Sequence, residues 1–144
     1  MLLAAAVVLV ALLAAWGSRR VFRGQTELGV GVSEVAWLPK TASQICFVRK
    51  GGSRKLWVAE FRMERSEFEA WARDEGWTVK PLDRVLLIPR FTLYLPQGHA
   101  ERAIPFYVSP TRGLIAEPRG GVARGATIVF DERLSMVFWA RDAG

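Results

Sequence analysis

"ICFVRKGGSRKLWVAEFRM", residues 45–63, consists of two runs rich in β-branched and aromatic residues on either side of Gly51-Gly52-Ser53. Such runs fit a pleated, half-buried surface, and paired glycines supply the backbone freedom a tight connection needs. The stretch therefore reads as a β-hairpin, with Ile45–Arg49 against the longer strand Lys55–Met63. Toward the C-terminus the same pattern recurs: Ala126–Phe130 and Ser135–Ala140 flank the turn Asp131-Glu132-Arg133. Two hairpins without a repeated strand–helix–strand rhythm predict an antiparallel sheet.

Between the hairpins lies one helix signal, Ser66–Glu75. Ser66 and Glu69 match the S-x-x-E capping box, in which each side chain satisfies a free backbone N–H of the first turn. Phe68, Trp71 and Ala72 fall at i, i+3 and i+4 and form one apolar face. Arg65/Glu69 and Glu69/Arg73 are i,i+4 pairs of opposite charge. Gly76 stands where a helix ends, so Trp77 can fold back onto Trp71 or Ala72. Asp74 and Glu75 sit at the unfavourable end of the helix dipole.

The remaining patterns are weaker. Glu34–Leu38, Val85–Ile88, Phe91–Leu95 and Ile104–Val108 read as short strands, several of them ending near a proline. Val21–Val32 contains glycine and lacks alternation, which predicts a linker or extended spacer. Ser109–Gly125, with two prolines and four glycines, reads as a long loop.

Ahead of all this, Leu2–Trp16 carries no charged residue and is followed by Gly17, Ser18, Arg19 and Arg20. Fifteen helical residues reach about 22 Å, and Gly17 and Ser18 extend the span toward the short end of what a bilayer needs. As an anchor the segment would engage the membrane through Leu2, Leu9, Leu13 and Trp16, with the indole and the arginines at the interface. As an export signal it offers Ala15 and Gly17 at the −3 and −1 positions of a cut before Ser18, but no positive n-region. A buried helix of a soluble domain would normally carry a polar stripe, and none is present. The expected architecture is α+β: an N-terminal hydrophobic helix (1–18), a basic juxtamembrane linker (19–33), and one compact domain (34–144). That domain is expected to be a small antiparallel sheet with one packed helix. The arginines favour the cytoplasmic side for it, and export to the periplasm or beyond is the alternative.

Charge narrows the partner. The chain carries 20 Lys/Arg against 14 Asp/Glu, a formal +6. The excess is concentrated between Arg19 and Lys55, whereas residues 56–144 balance. A balanced C-terminal part argues against nucleic acid, and a basic segment beside an apolar one fits anionic headgroups. Arg19, Arg20, Arg23, Arg49, Lys50, Arg54 and Lys55 are the expected headgroup contacts, the last four clustered at the first hairpin's tip.

Catalytic signals are sparse. His99 is the one histidine and Cys46 the one cysteine. A single cysteine forms no internal disulfide, and Cys46 within Ile45–Val48 reads as a small strand hydrophobe. No G-x-S-x-G, H-E-x-x-H, C-x-x-C or EF-hand spacing occurs. The arginine–glycine run 119–125 is followed by a strand rather than a helix, which argues against a phosphate loop. Glu60 and Asp83 are the carboxylates with the most apolar sequence surroundings. The five tryptophans after Trp16 read as packing residues. No metal or cofactor is expected, and the expected role is non-catalytic binding or scaffolding at a membrane surface. The alternative is an exported ligand-binding domain freed by cleavage before Ser18.

Overall fold

A computed structural model describes residues 26–52, 55–95, 105–118 and 126–143. Seven strands form one antiparallel sheet: β1 (Thr26–Val32), β2 (Ser43–Lys50), β3 (Lys55–Arg62), β4 (Trp77–Pro81), β7 (Gly113–Pro118), β8 (Ala126–Asp131) and β9 (Met136–Ala143). Their spatial order is β1-β2-β3-β9-β8-β7-β4. The two hairpins expected from sequence thus join through β3 and β9, which pair from Lys55↔Ala143 to Arg62↔Met136. A two-residue pair, β5 (Ile88–Pro89) with β6 (Tyr107–Val108), makes a separate small sheet.

This corrects the α+β expectation. With 51% strand and 14% helix, the structure is mainly β, and the described residues contain one α-helix rather than an N-terminal hydrophobic helix followed by a small sheet. Among the described residues no helix is long and apolar enough to cross a membrane. The segment 1–18, with Leu2, Leu9, Leu13 and Trp16, lies outside the described residues.

Three strands arise where none was expected. Thr26–Val32, within the stretch read as spacer, pairs with β2 as an edge strand. Gly29 there has a specific cause: a Cβ at this position would run into the Phe47 ring. Trp77–Pro81 forms the opposite edge as β4, and Gly113–Pro118, read as loop, becomes β7 between β4 and β8. Two expected strands are lost. Residues 34–38 form turns that carry Trp37 over the sheet, and Phe91–Tyr94 winds into a 3-10 helix.

Helix α1 (Arg65–Asp74) has its N-cap two residues before the expected one. Glu64 is the N-cap, and its N–H donates to Glu67 Oε2 at 3.2 Å. Phe68 and Ala72 are buried, Gly76 adopts φ +73°, and the Trp77 ring meets Trp71 at 4.9 Å. The apolar face and the helix end are as the sequence indicated.

Strand alternation sends Ile45 and Phe47, Ala59 and Phe61, Val137 and Trp139 to the face that α1 covers. All five tryptophans after Trp16 pack there, linked edge-to-face or tilted at 4.9–6.3 Å. The other face is covered by the irregular stretch from Leu82 onward. Ile88 packs on Ile115, Val129 and Phe138, and Phe91 packs on Val48, Val58 and Ala140.

Candidate functional site

Strand register defines two ends of the sheet. Thr26 lies opposite Lys50, Leu56 opposite Lys50 and Lys55 opposite Ala143, so the start of β1, the first hairpin tip and the end of β9 share one end. Trp77, Pro118 and Ala126 belong to the same end.

One cross-strand row at this end reads Glu27, Arg49, Trp57, Arg141, from β1 through β2 and β3 to β9. The Arg49 guanidinium lies 4.7 Å from the Trp57 ring centroid and the Arg141 guanidinium 5.9 Å from it. Glu27 reaches Arg49 at 3.6 Å, a long and exposed pair. Among the described residues no carboxylate forms an ion pair with Arg141, Lys50 or Lys55.

The other expected headgroup contacts are divided by the pleat. Arg49 and Lys55 share the α1 side with Trp57, whereas Lys50 points to the other side, 5.6 Å from the Tyr94 ring centroid. The tip is thus a basic end with cations on both sides of the sheet. Arg19, Arg20, Arg23 and Arg54 lie outside the described residues. Arg141 and Tyr94 were missed by sequence reasoning. For Arg141 the signal was available: in the alternation of β9 it follows Val137 and Trp139 on one side.

Elsewhere some cations are matched, while Lys40, Arg62, Arg73 and Arg133 form no ion pair among the described residues. Arg65 bonds Glu69 and Glu132, both at 3.0 Å, and Arg112 bonds Glu132 at 2.7 Å. Lys80 and Arg84 both hold Glu117, whose carboxyl is pushed below its ordinary value, first by the Lys80 hydrogen bond. Hydrogen bonding to Glu69 raises Arg65 above the usual guanidinium value.

The catalytic candidates do not converge. Glu60 is buried, and both its oxygens are occupied: Arg90 donates to Oε1 at 2.9 Å and Oε2 at 2.6 Å, and the Phe91 N–H donates to Oε1 at 3.2 Å. That hydrogen bond raises the Arg90 pKa against the lowering effect of burial. Asp83 is exposed, and His99 lies outside the described residues. Cys46 is half-buried beside Glu60 on the neighbouring strand, and its Sγ accepts the Gly31 N–H at 3.4 Å. Among the described residues no group of three or more His, Cys, Asp or Glu is placed to hold a metal ion.

A groove of about 630 Å³ runs between residues 36–41 and α1. Trp37 and Trp71 line it together with Lys40, Glu67, Asp74 and Glu75.

No known family matches this chain. Curated proteins and solved structures give no match either. The functional reading therefore rests on the geometry alone.

Proposed function

We propose that this protein is a non-catalytic binding module that presents the basic end of its sheet to an anionic membrane surface. The supporting observation is a cluster: the strand register gathers Arg49, Lys50, Lys55 and Arg141 at one end of the sheet, and three of them, Lys50, Lys55 and Arg141, carry no carboxylate among the described residues. Unpaired cations gathered at one end give a directed positive field, and each Lys or Arg near an anionic leaflet contributes about 1 kcal/mol of attraction. Trp57 adds an amphipathic ring of the kind favoured at headgroup level.

Flotation of the full-length chain with vesicles tests this. Stronger association with phosphatidylcholine–phosphatidylserine than with phosphatidylcholine alone is expected, with the difference fading as salt rises. Changing Arg49, Lys50, Arg54 and Lys55 to glutamine should remove most of that difference. Equal binding to both lipids at low salt would refute the reading.

The Trp37–Trp71 groove favours a second reading, an exported ligand-binding domain, because its volume falls in the range of small-molecule sites. Intact mass of the protein from fractionated cells separates the two. A mass beginning at Ser18 in a soluble envelope fraction supports export, and a full-length mass with the membranes supports the first reading.

A further inference from the structure

The row Arg49–Trp57–Arg141 is more specific than a diffuse basic patch. Two guanidinium groups from different strands converge on one ring, at 4.7 and 5.9 Å from its centroid. Like charges brought this close repel, and among the described residues the one carboxylate paired with either is Glu27, which touches Arg49 at 3.6 Å and is itself largely exposed. The arrangement is nonetheless built in. Arg49, Trp57 and Arg141 are direct cross-strand partners in the β2–β3–β9 register, so strand pairing places all three side chains on one side of the sheet.

The N–H edge of a guanidinium matches two oxygens of a phosphate better than an ammonium does, and among the described residues a carboxylate approaches only that of Arg49, Glu27 at 3.6 Å. Two such edges around one ring suit a group with more than one negative charge and several acceptor oxygens. Lys55 adds a third cation on the same side. A phosphate monoester has these properties, whereas the single carboxylate and diester phosphate of phosphatidylserine spread their charge over two smaller groups.

We infer that Arg49, Trp57 and Arg141 form a site for a phosphate monoester, carried on a lipid headgroup at the membrane surface. The inference rests on the membrane-surface reading and narrows it to one chemical class. Lys50, on the opposite side of the sheet beside Tyr94, contributes general attraction without taking part in the site.

The test uses the full-length chain with two sets of phosphatidylcholine vesicles matched in total charge, one containing a phosphoinositide monoester and the other phosphatidylserine. Binding at least tenfold tighter to the phosphoinositide is expected. Lys50→Gln should weaken binding to both sets alike, by about fivefold for one lost charge. Arg141→Gln should abolish the preference, and Arg141→Lys, which keeps the charge but loses the planar edge, should abolish most of it. Arg141 is exposed, so thermal unfolding and near-UV circular dichroism should stay unchanged in these variants. Equal effects of Arg141→Gln and Lys50→Gln, or no preference in the wild type while anionic dependence persists, would overturn the site and leave the membrane reading standing. Loss of anionic dependence altogether would overturn both. Soluble inositol trisphosphate provides the remaining arm: binding as tight without vesicles would support the monoester site and reject the lipid as its source.

Discussion

The two faces of this sheet are covered by different means. On one, α1 docks through rings: Phe68 stacks on Phe130 at 5.5 Å, and Trp71 meets Phe61 and Trp139 edge-to-face at 5.9 and 6.1 Å. On the other, an irregular segment is pinned by a buried ion pair, Glu60 with Arg90. The difference follows from backbone accounting. A helix satisfies its own N–H and C=O groups apart from its ends, so apolar contact suffices to hold it. A segment without regular structure brings unpaired backbone groups onto an apolar surface, and each needs a partner. Leu82 N–H finds Gly113 O and Arg90 N–H finds Phe106 O, both at 2.9 Å. Phe91 N–H finds none on the backbone and takes Glu60 Oε1. Once a carboxylate is buried for that purpose, it requires a counter-charge, and Arg90 from the same segment supplies it.

This comparison is most exposed at Arg90. Arg90→Ala strands a carboxylate that is 3% exposed, which should cost about 3–5 kcal/mol. Urea unfolding measures the loss, and hydrogen exchange at the Phe91 amide should rise early if the covering segment loosens first. Replacing both partners, Glu60→Leu with Arg90→Met, should recover much of the loss, since a buried pair and an apolar pair of similar volume come close in energy. The Phe91 N–H would remain orphaned and keep recovery incomplete, by about 1–3 kcal/mol. A double variant no better than Arg90→Ala would show that the pair does more than balance its own charges.

On the ring-packed face, Phe68→Ala should cost about 3–4 kcal/mol by opening a cavity against Phe130 and Trp71. No second substitution should rescue it in the way the charge swap rescues the other face. The helix start is less sensitive. Glu67→Ala removes the acceptor of the Glu64 N–H at an exposed helix start and should cost about 0.5–1 kcal/mol, read as a small shift in urea midpoint.

The same contrast explains what could be read from the chain beforehand. Hairpin β2–β3, hairpin β8–β9 and the apolar face of α1 depend on neighbours a few residues apart, and their periodicity shows. The helix start was misplaced because Ser66 is the better cap in isolation. Strand β3 ends at Arg62, and the buried Met63 that follows it leaves Glu64 as the extended N-cap. Gly29 made β1 look like a spacer, yet its cause is the Phe47 ring on the adjacent strand. Phe91–Tyr94 has strand-forming residues and winds into a 3-10 turn because Phe91 must reach Glu60 and the cluster around Val58. For the candidate site, the tip cations were visible. Their division between two sides, and the arrival of Arg141 from the last strand, needed the β3–β9 register, which joins residues from opposite halves of the chain.

The smallest effect concerns a second carboxylate on the covering side. Glu117 is held by Lys80 at 2.7 Å and by Arg84, at the start of the covering segment, at 3.0 Å. The ligation resembles that of Glu60, but the group is in water. Its pKa is lowered in the folded state, chiefly by the Lys80 hydrogen bond, so its contribution is present above the ordinary carboxylate range and is lost as pH falls through the folded value. Glu117→Gln should therefore shift the urea midpoint slightly at neutral pH, less than Glu67→Ala does. The difference from wild type should vanish in acid, and should shrink with added salt at neutral pH because an exposed pair is screened. A neutral-pH loss as large as that of Arg90→Ala would show that partner number, rather than burial, sets the cost of breaking these pairs. That result would remove the distinction drawn between the two carboxylates.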